Sequence, residues 1–271
     1  MAGNRPFLKW AGGKFRLADK IKGLLPAGTR LIEPFVGSGA VFLNTAYQDN
    51  LLADANKDLI LVYQTLQDSP EEFITFCRSF FTPEHNQAEV YYSLREEFNT
   101  THDLWRKAAL FVYLNRHGYN GLCRYNSKGG FNVPFGRYRH PYFPEEEFAA
   151  FAAKAAHAAF VCADFRVVMA QTRPGDVVYC DPPYVPLTTT ADFTAYQPGG
   201  FSPQDQDDLV FWAKSLGDRG IPVLISNHAS PWTRLAYESA RMETFAVRRF
   251  ISCDGTQRNN ADEVLALFGG G

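Results

Sequence analysis

Two hydrophobic periods take turns along the chain. Short apolar runs of strand length start near Leu31, Asn50, Phe160, Val177 and Ile221. Between them, apolar residues recur every three or four positions, the helical period. Helices are expected over Ala40 to Asn44, Lys57 to about Phe81, Ala88 to Phe98, and Leu104 to about Arg116. Two more are expected over Glu145 to His157 and Ser202 to about Leu216. Strands alternating with helices predict a doubly wound α/β sheet. Phe245 to Cys253 and Glu263 to Phe268 flank a turn at Asp254 and Gly255, so an antiparallel hairpin should close it. Units of strand followed by acid lie on both sides of a helical, basic segment. That segment, residues 58–144, is therefore read as an insert within one α/β domain formed by residues 1–57 and 145–271.

Composition adds a filled core: 46% of the residues are hydrophobic and 15% aromatic, which argues against disorder. The net charge of −2 does not announce a polyanionic partner, but the charge is unevenly placed. From Leu104 to Pro144 there is no Asp or Glu, while Arg106, Lys107, Arg116, Arg124, Lys128, Arg137 and Arg139 are interleaved with aromatics, glycines and amides. A solvated basic face is the usual meaning of such a run. Here the mixture with Tyr119, Tyr138, Asn115, Asn120, Asn126 and Asn132 suits phosphate and base contacts better. Five widely spaced cysteines without a CxxC pair argue against a disulfide framework or a metal site, and for a reducing cytoplasm. Cys180 is expected to be a buried strand thiol, not a nucleophile. The N-terminus lacks an apolar signal region and no run is long enough to span a bilayer, so a soluble intracellular protein is expected.

The candidate chemistry sits after the run Val177 to Cys180. That strand delivers Asp181, Pro182, Pro183 and Tyr184 at its C-terminal end, where open α/β sheets place their ligands. An exocyclic amine on a nucleobase is a poor nucleophile because its lone pair is delocalised into the ring. A carboxylate from Asp181 and a carbonyl from Pro182, aimed at its two N–H groups, would localise that pair. Tyr184 offers a face on which a flat base can stack. Taken alone, the four residues could equally be a proline turn with a cap and a packed ring.

Other stretches change that balance. Leu31 to Gly39 runs a short strand into a Gly37-Ser38-Gly39 turn, where small residues let a cofactor approach the backbone. A third glycine is missing, which disfavours nicotinamide or flavin. Asp54, at the end of the second strand, is placed to accept from ribose hydroxyls, or to cap the helix that follows. Gly12 and Gly13, flanked by Lys9, Trp10 and Lys14, suit a loop around an anionic group, although taken alone the stretch reads better as a solvated N-terminal turn. Val185 to Phe201 is polar and threonine-rich and is read as a loop over the site.

The order Lys9-Trp-Ala-Gly-Gly-Lys14, Glu33-Pro-Phe-Val-Gly-Ser-Gly39, a basic insert and Asp181-Pro-Pro-Tyr184 resembles the Dam-type DNA adenine methyltransferases. The similarity covers nearly the whole chain, including Tyr113 to Asn126 and Phe131 to Arg137. It implies a Rossmann-like methyltransferase sheet with an inserted, mainly helical DNA-recognition domain. It also implies a monomer that transfers methyl from S-adenosylmethionine to adenine N6 in double-stranded GATC sites, with no metal. Trp10, Lys14, Phe35, Asp54 and Asp181 match cofactor-binding positions, and Asp164 and Phe165 are placed to border its adenine. Lys9, Leu122, Arg124, Pro134 and Tyr138 match base-reading positions; Tyr119 and Asn120 match the wedge that enters the duplex. Arg95, Arg116, Asn126, Asn132 and Arg137 look like phosphate contacts. The segment Arg248 to Asn260 is less basic than the resemblance implies. Two other readings stay open: the same chemistry on cytosine N4 or RNA, and a catalytically silent DNA-binding protein.

Overall fold

The sheet is organised around β4 (Asp176–Cys180), whose five residues are all buried. A continuous run of Val, Val, Tyr and Cys suits a strand covered on both faces. In the computed structural model, which describes residues 3–184, 200–247 and 261–270, β4 pairs in parallel with β1 (Arg30–Glu33) and β5 (Val223–His228). On the other side of β1 lie β2 (Asp49–Asp54) and then β3 (Ala158–Cys162), also parallel. β7 (Ala261–Phe268) runs antiparallel between β5 and β6 (Arg241–Val247). The order is β3-β2-β1-β4-β5-β7-β6, a doubly wound sheet whose chain direction of travel reverses between β1 and β4. The C-terminal edge at that reversal is where such sheets bind ligands. At the opposite end of the same two strands, Arg30 Nε and Nη2 donate to Asp176 Oδ1 and Oδ2 at 2.9 and 2.6 Å. This two-pronged bond compensates an aspartate that is almost fully buried.

Both faces are covered, as the strand alternation requires. Leu52 joins one core and its neighbours Leu51 and Ala53 the other. α8 (Phe165–Met169) and α9 (Pro203–Asp218) supply residues to the second core. The first contains an aromatic stack in which Phe7 lies 4.2 Å from Phe148, and Tyr63 4.7 Å from Phe151. It continues without a break through Phe98, Phe111 and Phe131, so residues 58–144 share a core with the sheet. α3 (Lys57–Asp68), with which that segment begins, packs on β2 and β3 as well as on α6 (Leu104–His117).

Several expectations need correction. The single helix expected from Lys57 to Phe81 is two, α3 and α4 (Pro70–Arg78), because Pro70 stands at the first turn of the second. Asn56, not Asp54, caps α3: its side chain accepts from the Asp58 and Leu59 amides. The strand expected from near Phe160 begins at Ala158 and stops at Cys162, and Asp164 caps α8. The six-residue helix α10 (Pro231–Ala236) has no counterpart among the expected helices. α1 (Ala18–Leu24), α2 (Ala40–Asn44), α5 (Ala88–Thr100) and α7 (Glu145–Ala155) complete the described helices. Residues 185–199 of the loop expected over Val185 to Phe201, the turn at Asp254 and Gly255, and Cys253 lie outside the described residues. Among the described residues, no helix is long and apolar enough to cross a membrane.

Candidate active site and nucleic-acid interface

The turn after β1 is moulded by its neighbours. Gly37 has φ +47°, and a Cβ there would stand 2.9 Å from Trp10 Nε1. The Tyr63 hydroxyl, rising from the aromatic core, donates to the Gly37 carbonyl at 2.5 Å. The Gly37 amide donates to Asp54 Oδ2 at 3.1 Å, and the Asn56 amide to Asp54 Oδ1 at 2.9 Å. Burial lifts the Asp54 carboxyl to about 6 against the pull of those two amides. Trp10, from the first loop of the chain, thus meets Gly37 and Asp54 at the adjoining ends of β1 and β2. Phe35 lies 5.4 Å from Phe165, and Phe201, which no local motif marks, closes on both at 5.7 Å. Asp164 is half exposed and is held by Arg166, which also reaches Asp205 and Asp208 on α9.

Lys14, in a short 3-10 turn, brings its ammonium 2.8 Å from Asp181 Oδ1, 2.7 Å from the Gly12 carbonyl and 4.7 Å from the Tyr184 ring centroid. Burial raises the Asp181 carboxyl, and Lys14 opposes that shift. Pro182 is buried, and Gln206 Nε2 donates to the Pro183 carbonyl at 2.8 Å, fixing the turn. Tyr184 donates to Glu263 Oε2 on β7 at 3.2 Å and meets the His228 ring edge-on at 4.5 Å. Neither partner is expected from sequence, because both come from strands far along the chain. Cys180 is buried beneath this group, and burial raises its thiol well above the ordinary range. Glu33, at the end of β1, is buried with its carboxyl pushed up to about 8; among the described residues its Oε1 has no hydrogen-bond partner. Among the described residues, no cluster of three or more His, Cys, Asp or Glu side chains could hold a metal.

A second group of residues lies beside the first. Lys9 Nζ sits 3.9 Å over the Tyr138 ring and donates to the Arg116 carbonyl at 3.3 Å. Burial, with Arg116 adding to it, lowers the Lys9 ammonium to about 8. Gly121 has φ +63°, and a Cβ there would stand 2.2 Å from Lys9 Cβ, so only glycine permits this approach. Tyr119 is half exposed and Asn120 exposed, with Asn120 in the left-handed region at φ +53°. The Tyr119 amide donates to the carbonyl of the exposed Pro134 at 2.9 Å, and Leu122 is half-buried. Arg124 is exposed, and its Nε donates to Asn132 Oδ1 at 2.7 Å. Arg137 is exposed with φ +51°.

Other candidates are turned inward. Arg116 is buried; its fork donates to the Tyr142 carbonyl at 3.1 and 2.9 Å and to the Phe7 carbonyl at 3.3 Å. Arg95 Nη1 donates to the Val133 carbonyl at 3.0 Å. Asn126, by contrast, is exposed, and its Oδ1 accepts from the Lys128 and Gly130 amides, closing a tight surface turn. Asn115 is buried. Arg116, Arg95 and Asn115 stabilise the loops from within, although their sequence context is that of surface cations and amides.

Comparison with known proteins bears on both groups of residues. The family of D12 class N6 adenine-specific DNA methyltransferases matches residues 10–250. The chain is 54% identical over 268 residues to a DNA adenine methylase of Salmonella typhi, covering 99% of this chain and 96% of that one. It is 53% identical over 268 residues to a DNA adenine methylase of Escherichia coli K12, with the same coverage. A DNA adenine methylase of Serratia marcescens is 52% identical over 269 residues, covering 99% of this chain and all of the relative. The chain belongs to the D12 class of adenine-specific DNA methyltransferases, and it is an enzyme that methylates adenine in DNA.

Proposed function

We propose that this enzyme methylates adenine N6 within double-stranded GATC sites, drawing the methyl group from S-adenosylmethionine after turning the base out of the duplex. The observation that carries this reading is the group Lys14, Asp181 and Tyr184 at the reversal point between β1 and β4.

The residues fit the cofactor. Gly37 lets the Trp10 indole pack directly against the turn after β1, and Asp54 presents a carboxylate at the neighbouring strand end. Trp10, Lys14, Phe35, Asp54, Asp164, Phe165 and Asp181 would hold it. Bound there, it supplies an electrophilic methyl on a sulfonium.

The protein's own groups do the rest. Asp181, kept ionised by the Lys14 ammonium, accepts a hydrogen bond from N6, and the Pro182 carbonyl accepts the second. The lone pair then points along the line of transfer, and positioning with aimed acceptors supplies most of the acceleration. Tyr184, braced by Glu263 and His228, stacks on the extruded ring. Extrusion costs a few kcal/mol. Tyr119 and Asn120, on their exposed turn, fill the space the base leaves and offset part of that cost. Residues 58–144 read the target through Leu122, Arg124, Pro134 and Tyr138, joined by Lys9 from the first loop of the chain, with Arg137 on phosphate. We take the enzyme to act as a monomer on cytoplasmic DNA.

The test is methyl transfer from labelled S-adenosylmethionine to two duplexes, one with a single GATC and one with GTTC in its place. Label recovered as N6-methyladenine from the first alone is expected. Equal labelling of other adenines in both duplexes would overturn the site assignment.

A further inference from the structure

Arg124 stands between two residues whose side chains go the other way. It is exposed, while Cys123 is buried and Tyr125 half-buried, the alternation of extended backbone. Both neighbours end on the start of α3. Asn56 Nδ2 donates to Cys123 Sγ at 3.4 Å, and the Tyr125 hydroxyl donates to Asp58 Oδ2 at 2.7 Å. Asn56 and Asp58 are buried. Asn56 also caps α3 and gives its amide to Asp54, so this knot touches the cofactor acid as well. Across the turn, Phe131 faces Tyr125, and Asn99 holds the Phe131 amide and carbonyl at 2.8 and 3.2 Å. The loop that carries Arg124 is therefore pinned on both limbs by buried polar bonds.

We propose that Tyr125, anchored on Asp58 and flanked by the Asn56–Cys123 contact, is a positioning residue for base recognition: it sets the limb from which Arg124 reaches its base. This rests on the reading above that Arg124 meets a base. Removing the Tyr125 hydroxyl leaves a buried carboxylate without its donor, and relief comes from shifting the loop or admitting water. A loosened limb spreads the guanidinium over several positions. Discrimination then suffers more than turnover on the correct site.

The test uses the intact enzyme and the ratio of kcat/KM on a GATC duplex to that on a duplex with the guanine replaced by adenine. Arg124→Ala and Tyr125→Phe should each lower this ratio, the latter roughly tenfold, within the worth of a bidentate base contact. Because Tyr125 acts through Arg124, the double variant should discriminate no worse than Arg124→Ala alone. Asp58→Asn, which keeps an acceptor, should retain most of the ratio. If Tyr125→Phe does not fold, Cys123→Ala, which removes the other anchor, carries the same comparison. An unchanged ratio in Tyr125→Phe, or losses that multiply in the double variant, overturns the proposal. An unchanged ratio in Arg124→Ala overturns the base-reading assignment, and the proposal with it.

Discussion

The side-chain amide of Asn115 closes both backbone bonds of Lys9: Oδ1 accepts from its amide at 2.9 Å, and Nδ2 donates to its carbonyl at 2.7 Å. The same Nδ2 lies 3.3 Å from the Gly121 carbonyl. One buried amide thus binds the first loop of the chain to the turn bearing Tyr119 and Asn120. Asn115→Asp would set a carboxylate against the Lys9 carbonyl and is expected to cost about 3 kcal/mol of stability. Urea unfolding measures it; wild-type stability in that variant would mean that the two bonds contribute nothing.

The Lys14 ammonium is predicted to set the acid limit of activity. Burial raises the Asp181 carboxyl and Lys14 restrains it. Without that cation the carboxyl rises further, so Asp181 takes up its proton at higher pH and, in the proposed mechanism, stops accepting from the base amine. In Lys14→Met the acid limb of the kcat/KM profile should move to higher pH, and Lys14→Arg should bring it back. A lower rate with the limb unmoved would confine Lys14 to holding the cofactor.

Glu33 is predicted to make stability fall with pH. Its carboxyl titrates near 4.5 when unfolded and near 8 when folded. Between those values the folded state holds the extra proton, so stability is complete below the lower one and is lost as pH rises toward the upper one. Asp54 acts in the same direction but is spent above about 6. Glu33→Gln should therefore flatten the decline in Tm between about pH 6.5 and pH 8. The effect is on the order of a few kcal/mol, because a proton held by the folded state alone is worth about 1.4 kcal/mol for each step of one in pH. A decline as steep as that of the wild type would show that Glu33 ionises normally.

Asp54 and Asp181 can be placed from sequence because each ends a short apolar run, and the strand period leaves such a run one workable register. Gly37 and its turn follow from the same logic. Arg116 and Arg95 cannot be placed, since a guanidinium that meets a backbone carbonyl and one that meets phosphate sit in the same kind of sequence. The break at Ser69 and Pro70 is hidden because the apolar period continues across it. α10 is too short to show a period. The partners of Tyr184 come from β5 and β7, and no local pattern foretells pairing over 79 residues. The knot under Arg124 is hidden for a related reason: Tyr125 and Cys123 read as ordinary members of a basic, aromatic segment.

Exchange of residues 58–144, the proposed recognition segment, between related enzymes is constrained by the way the chain's start is laid beneath it. The Phe7 carbonyl receives Arg116, and the Lys9 backbone is held by Asn115, while Lys9 itself needs the bare Gly121 beside it. A chimera that transplants residues 58–144 alone would set a foreign floor under a borrowed roof. On the proposed reading, residues 7–10 have to travel with the graft, and the unit of inheritance for target choice is discontinuous in sequence.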